Sequence, residues 1–266
     1  MIVGRFAPTP SGDLHFGSLV AAVGSFVSAK SKGGKWLVRI EDTDRARSVK
    51  GADLEILRTL ERYELFWDGE IWRQSERFAI YFEFLDRLKN FTYECFCSRS
   101  DLAPFGKIHP PSCVARVGDR AAIRVRVLDR EIIFHDRIVG GFKQNLRAEV
   151  GDFVLKNRGG EPSYHLACVI DDHLSGVSEI VRGRDLLDSA PRQIYLQNLF
   201  GFSTPDYAHL PLVLGADGAK LSKQNKAEPI AGKNPRETLI AALNFLGYDT
   251  PADLTIREAL DREICL

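Results

Sequence analysis

The sequence predicts an α/β fold: a parallel sheet interrupted by a cysteine-bearing insertion and followed by a short helical segment. Three observations carry this. The first ~90 residues alternate short apolar runs with helical stripes, the pattern of parallel strands joined by crossover helices. Residues 95–113 lose that periodicity and hold three of the five cysteines, Cys95, Cys97 and Cys113. Near the C-terminal end stand two helix-start signatures, Asn234-Pro235 with Glu237 and Thr255 with Glu258.

The elements follow in order. Ile2–Ala7 is a short apolar run, a buried strand, entering the turn-rich loop Pro8-Thr9-Pro10-Ser11-Gly12. Gly17–Lys30 is a helix with Leu19, Val23, Phe26 and Val27 on one face, and Trp36–Ile40 is a second buried strand. Val49–Tyr63 and Ser75–Phe91 read as helices, the first striped by Val49, Ile56, Leu60 and Tyr63, the second by Phe78, Phe82, Leu85 and Leu88. Ile123–Val127, Ile132–His135 and Asp152–Leu155 read as strands, and Tyr164–Ile170 as a buried apolar run. Ser189–Phe200 is a helix stopped at Gly201, and His209–Leu214 a strand leading to the turn Asp217-Gly218. The expected division is 1–92 and 151–224 as two halves of one catalytic domain, 93–150 as the insertion, and 225–266 as the helical segment.

Composition narrows the class. A chain of 266 residues with 44% hydrophobic and 27% charged residues suits a globular fold that needs no disulfide or metal to make a core. Disordered, collagen-like and coiled-coil chains are excluded, and no run approaches the ~18 apolar residues of a membrane span. The N-terminus MIVGRFAPTP lacks signal-peptide features, so a cytoplasmic location is expected. Formal net charge is zero, so any nucleic-acid contact needs a local basic patch.

Three segments carry chemistry. In the first, strand, Pro/Gly loop and helix start at His15-Phe16-Gly17-Ser18 can hold a phosphate with helix-terminal N–H groups. Gly17 allows close approach and His15 can donate to a phosphate oxygen. An ordinary strand–turn–helix fits that stretch equally. The second, Lys220-Leu221-Ser222-Lys223-Gln224, can bring cations onto a triphosphate, or is a solvated loop. The third, Cys95-x-Cys97-x11-His109-x3-Cys113, offers three thiolates and an imidazole, a closed tetrahedral set for structural Zn²⁺. Its alternative is three reduced cysteines with an unrelated histidine.

The first two segments together resemble the signatures of a class I aminoacyl-tRNA synthetase. His15–Ser18 resembles His-Ile-Gly-His, with Ser18 in place of the second histidine. Lys220–Gln224 resembles Lys-Met-Ser-Lys-Ser. The blocks Arg5–Gly12, Arg39–Asp44, Asp171-Asp172-His173 and Val181-Arg182-Gly183 are similar to the glutamyl group. Only 42 residues follow Gln224. No anticodon-binding domain is therefore expected, and the resemblance narrows to the truncated glutamyl-Q tRNA(Asp) synthetase family.

That resemblance implies a Rossmann-like catalytic domain. It implies activation of L-glutamate with ATP and Mg²⁺, then transfer of glutamate to the queuosine base in the anticodon of tRNA(Asp). His15, Lys220 and Lys223 are the implied catalytic groups; His15, Gly17, Ser18 and Lys223 bind ATP. Arg5, Ala7, Thr9, Glu41, Tyr164 and Arg182 bind glutamate. The family's metal pattern has tyrosine where this chain has His109. Structural alternatives stand beside these roles: a salt bridge for Glu41, surface positions for Arg5 and Arg182, and core packing for Tyr164. Asp171, Asp172 and His173 are read as loop-shaping or RNA-facing, and Arg124 and Arg126 as RNA-facing or solvated. A monomer is expected. Charging the 3′ end of tRNA(Glu), or tRNA or amino-acid binding without catalysis, are the competing functions.

Overall fold

The computed structural model describes residues 1–106, 108–110, 112–113, 120–215 and 228–265. The chain opens with β1 (Val3–Phe6), α1 (Phe16–Lys30), β2 (Lys35–Ile40), α2 (Ala52–Arg62) and β3 (Trp72–Arg73). Next come α3 (Phe78–Arg87), β4 (Thr92–Cys95), α4 (Arg99–Leu102), β5 (Ala122–Val125), β6 (Glu131–Asp136), β7 (Gly140–Asn145), α5 (Leu146–Glu149), β8 (Phe153–Lys156) and α6 (Tyr164–Leu174). Then follow β9 (Glu179–Gly183), α7 (Ser189–Phe200), β10 (Asp206–Leu210), α8 (Pro235–Phe245) and α9 (Ile256–Cys265). These elements form two compact units: Met1–Arg73 with Gly176–Leu187 and Pro205–Leu266, and Gln74–Ser175 with Asp188–Thr204.

The first unit is the parallel α/β layer. β1 pairs parallel with β2, Arg5 opposite Leu37, and β2 pairs parallel with β3. β9 and β10 pair parallel, Arg182 opposite His209. Ser178 N–H donates to the Val3 carbonyl at 3.0 Å and Val3 N–H to Ser178 Oγ at 3.0 Å, so β1 and β9 start level with each other. From β1 the chain steps to β2 on one side, while β9 and β10 occupy the other. In α/β sheets ligands bind beyond the carboxyl ends of the strands at such a reversal, which here falls at β1 and β9.

α1 forms because its apolar positions recur at helical spacing, and it buries Leu19, Val23, Phe26 and Val27. Trp36 meets Phe26 edge-on at 5.1 Å, and Ile56, Leu60, Tyr63, Leu239, Leu243 and Leu260 complete that core. α8 starts where Asn234 Oδ1 accepts from Arg236 and Glu237 N–H. α9 starts where Thr255 and Glu258 bond reciprocally, both as the sequence predicts. Gly4 lets α1 lie against β1: a Cβ there would stand 2.9 Å from the Ala29 Cβ.

In the second unit β4, β5 and β8 form an antiparallel sheet and β6 and β7 a hairpin. Several expectations are corrected. The Tyr164–Ile170 run, buried from Leu166 onward as expected, is the start of α6, which Ser163 Oγ caps by accepting from Leu166 N–H. Asp171, Asp172 and His173 therefore lie on a helix and not in a loop. Asp171 is fully buried and accepts from Gln74 Nε2 at 3.1 Å, Arg77 Nε at 2.9 Å and Tyr81 OH at 2.7 Å. It anchors α6 to the segment that opens α3. The strand expected at His209–Leu214 runs Asp206–Leu210, since Pro211 has no N–H for the ladder. Val49 precedes α2 and is exposed. The Asp217-Gly218 turn lies outside the described residues.

Replacing Gly4 by Val overpacks the α1–β1 contact. We expect a loss of about 1–3 kcal/mol, read as a lower urea midpoint with unchanged slope.

Candidate active site and metal centre

The carboxyl ends of the first unit's strands gather charge. Arg5 is buried one residue before the end of β1, and Arg182 is buried on β9 one residue before its end. Glu41 is buried just past β2, where its N–H donates to the Pro8 carbonyl at 2.9 Å and ties it to the loop leaving β1. Burial of bare charge is expensive, so partners are required. Arg39 Nη2 lies 3.1 Å from Glu41 Oε1. Residues two apart on a strand share a face, which makes this pair geometrically natural. The salt-bridge reading of Glu41 is thus realised, and the surface alternatives for Arg5 and Arg182 are not. Ala7 is half-buried and Thr9 exposed in the loop after β1.

Arg182 is held on several sides. Its Nε donates to His209 Nε2 at 3.0 Å, its Nη2 donates to the Leu186 carbonyl at 3.1 Å, and its guanidinium lies over the Tyr207 ring at 5.4 Å. His209 and Tyr207 are both buried. Sequence reasoning missed both. The available signal was their alternation on the strand facing the Val181-Arg182-Gly183 block.

His15 caps α1: its Nδ1 accepts from Ser18 N–H at 3.2 Å. An accepting Nδ1 places the ring proton on Nε2, the donor that a phosphate oxygen needs. Gly17 and Ser18 sit in the first turn, which carries no acidic residue. The helix dipole there favours an anion. His15 also bridges to Pro229, and Ile230 N–H donates to the Leu14 carbonyl at 2.9 Å. The backbone that follows the Lys220–Gln224 segment is therefore fixed beside His15. Lys220 and Lys223 themselves lie outside the described residues. Tyr164, half-buried, is the first residue of α6 in the second unit.

The four predicted metal ligands do come together. The ligand atoms of Cys95, Cys97, His109 and Cys113 all lie within 4.8 Å of one another. Tetrahedral coordination with metal–sulfur and metal–nitrogen bonds of ~2.3 and ~2.1 Å puts ligand atoms about 3.5–3.8 Å apart, so small side-chain shifts suffice. His109 Nε2 is 3.2 Å from Cys95 Sγ and 3.8 Å from Cys113 Sγ. Its Nδ1 is 2.6 Å from the Pro110 carbonyl and 3.0 Å from Tyr93 OH. A carbonyl can only accept, so the proton sits on Nδ1 and the Nε2 lone pair faces the sulfurs. Tyr93 OH in turn donates to Asp152 Oδ2 at 2.8 Å.

Burial, and then the Arg124 guanidinium, hold the His109 imidazole below its ordinary value, in the neutral ligand form. Burial and the neighbouring Cys95 and Cys97 push the Cys113 thiol up to about 12, so a bound cation is what would bring out its thiolate. Gly151 makes the approach possible: it bridges to His109 at φ 69°, and a Cβ there would lie 2.8 Å from the His109 backbone. Arg124 is corrected from an RNA-facing residue, since its Nε donates to Cys95 Sγ at 3.2 Å and its Nη1 to the Asp152 carbonyl at 2.7 Å. Arg126 stacks on Tyr93, 4.3 Å from the ring centre.

A histidine-capped helix start and buried arginines near the carboxyl ends of parallel strands are features of an α/β domain able to hold an anionic ligand. Residues 1–105 and 113–263 match the family described as tRNA synthetases class I (E and Q), catalytic domain. The glutamyl-Q tRNA(Asp) synthetase of Pseudomonas paraeruginosa is 50% identical over 95% of this chain and 87% of its own length. That of Pseudomonas putida is 48% identical over 96% of this chain and 88% of its own length. A glutamate tRNA ligase from Elizabethkingia meningosepticum, crystallised with its amino acid, superposes with a TM-score of 0.81 at 27% identity, over 99% of this chain. This chain spans 64% of that ligase's length. The chain therefore belongs to the class I (E and Q) tRNA synthetase catalytic-domain family, in its glutamyl-Q tRNA(Asp) synthetase branch.

Tyr93→Phe removes the hydroxyl that steadies His109 while keeping the ring under Arg126. We expect Co²⁺ affinity to fall roughly 10–100-fold, read by d–d absorption in competition with a chelator, with Cys95→Ser abolishing the tetrahedral spectrum.

Proposed function

We propose that this protein activates L-glutamate with ATP and transfers the glutamyl group to the queuosine base in the anticodon of tRNA(Asp). The observation that carries the first step is the burial of Arg5, Glu41 and Arg182 beside the His15-capped start of α1. One ligand with a carboxylate side chain, an α-ammonium and a neighbouring phosphate matches the charge of each of them. The relatives' shared name carries the second step.

In this reading Arg5 and Arg182 bind the side-chain carboxylate, Arg182 through its planar fork. Glu41, preorganised by Arg39, takes the ammonium, and Ala7 and Thr9 line the same loop. Tyr164 is carried as a further glutamate ligand by family resemblance alone. The glutamate α-carboxylate attacks the α-phosphorus of ATP. A carboxyl–phosphate bond forms, the bond to the β-phosphate bridging oxygen breaks, and pyrophosphate leaves. His15 Nε2–H, the α1 terminus with Gly17 and Ser18, and the cations of Lys220 and Lys223 offset the charge on the transferring group. Positioning and electrostatics are sufficient for this chemistry, because the nucleophile is already ionised. Mg²⁺ arriving with ATP shields the triphosphate. A queuosine ring hydroxyl then attacks the adenylate carbonyl; a glutamyl ester forms and AMP leaves.

We assign Zn²⁺ to Cys95, Cys97, His109 and Cys113. Four protein ligands leave no open position, so the ion is structural and pins the 93–150 insertion. A cytoplasmic monomer fits this function. The likeness to a glutamate tRNA ligase favours a second reading, charging of the 3′ end of tRNA(Glu).

One assay separates the two: labelled glutamate and ATP with tRNA(Asp) bearing or lacking queuosine, and with tRNA(Glu), followed by nuclease mapping. Label confined to the anticodon fragment of queuosine-bearing tRNA(Asp) is expected; label at the 3′ end of tRNA(Glu) contradicts the proposal. For the chemical step, Lys223→Ala is expected to slow glutamate-dependent pyrophosphate exchange about 10²–10³-fold, with the melting temperature retained.

A further inference from the structure

We propose that His209 is a positioning residue for glutamate, acting by aiming the Arg182 guanidinium; this rests on the glutamate-binding reading above. β9 and β10 run parallel with Arg182 directly opposite His209, so the pairing register itself sets the two side chains together. The Arg182 Nε–H donates to His209 Nε2 at 3.0 Å. That bond requires a neutral imidazole with its proton on Nδ1, because an arginine cannot accept and a protonated Nε2 cannot receive. A second donor, on Nη2, is fixed by the Leu186 carbonyl at 3.1 Å. Tyr207 lies under the guanidinium at 5.4 Å and parallel to His209, with 4° between the ring planes.

An arginine has five N–H donors in one rigid plane. Holding Nε, one donor on Nη2 and one face of that plane sets the direction of the whole fork. The plane can then meet a carboxylate without first losing the rotamer freedom of a long side chain. His209 is fully buried, as is Tyr207 to within a percent, so this restraint operates in a low-dielectric setting where a misplaced guanidinium is poorly tolerated. A histidine suits the position for a further reason. It accepts a hydrogen bond without adding negative charge. An aspartate or glutamate there would neutralise Arg182 and compete with the substrate carboxylate for it.

The test compares His209→Gln, His209→Asn and His209→Ala with the wild type and with Arg182→Ala in glutamate-dependent pyrophosphate exchange. The Gln amide oxygen reaches about where Nε2 stands and can accept from Arg182; the Asn oxygen falls short, at about the Nδ1 position. We expect His209→Asn and His209→Ala to raise the KM for glutamate about tenfold. The KM for ATP should be unchanged and kcat should move less, and His209→Gln should restore the glutamate KM to within about threefold of the wild type. The Gln/Asn contrast does not depend on the Ala variant folding, since both replacements are polar and similar in size. A packing role would move Gln and Asn alike, or the ATP KM together with the glutamate KM, and either result overturns the proposal. Unchanged glutamate KM in all three variants also overturns it, provided Arg182→Ala loses the glutamate response. Absence of glutamate-dependent exchange in the wild type instead overturns the glutamate reading on which the proposal stands.

Discussion

Burying fixed charge at the carboxyl edge of a parallel sheet is the constraint around which the first unit is organised. Arg5, Glu41 and Arg182 lose nearly all their hydration there. Each needs something other than water to oppose its charge. Arg39 answers Glu41, while His209, Leu186 and Tyr207 surround Arg182. Arg39 brings an opposite charge to Glu41, whereas His209 and the Leu186 carbonyl orient Arg182 through neutral acceptors. Strand pairing does the placing, because Arg182 stands opposite His209 and Arg39 shares a face with Glu41. Beside them α1 supplies a partial positive charge whose position is locked by the His15–Ser18 bond.

The second unit solves a different problem. Around Cys95, Cys97 and Leu102 the apolar cluster is small among the described residues, with Tyr93 and Cys113 packed on it as partly buried members. Hydrophobic burial alone gives such a region little stability. Polar order takes over through a chain running from Asp152 to Tyr93 to His109 and on to the sulfurs, with Arg124 bonded to both Asp152 and Cys95. Asp152 also accepts from the Val127 N–H and from Arg147, so the ligand cluster and the β-sheet share one carboxylate. A metal there would close a loop between β4 and residues 108–113 and complete a network already laid out to receive it.

Much of this was legible in the residues. The alternation of apolar runs located β1, α1, β2 and α2, and the caps at Asn234 and Thr255 located α8 and α9, because both signals are local. The cysteine spacing named a ligand set that the fold does assemble. What escaped was whatever depends on register between distant strands. His209 and Tyr207 are unremarkable in a row, and they acquire meaning only opposite Arg182. β7 escaped because Gly140, Gly141, Lys143 and Gln144 lack an apolar alternation, and it is the hairpin pairing with β6 that makes it a strand. Asp171 reads with Asp172 and His173 as loop-shaping or RNA-facing, yet three side-chain donors around a buried carboxylate make it the anchor of α6. Arg124 misled in the same way: an arginine on an alternating strand suggested a solvated or RNA-facing position, and its partners lie in the unit's interior.

The central claim is that the first unit presents fixed positive charge to a carboxylate side chain next to an adenylate. Calorimetric titration with a non-hydrolysable glutamyl-adenylate analogue, beside its glutaminyl counterpart, examines it without any tRNA. The account predicts one-to-one binding of the glutamyl compound at least about tenfold tighter than the glutaminyl one, since only the former places a charged partner against the arginines. Equal affinity for the two compounds, or no binding of either, would contradict it.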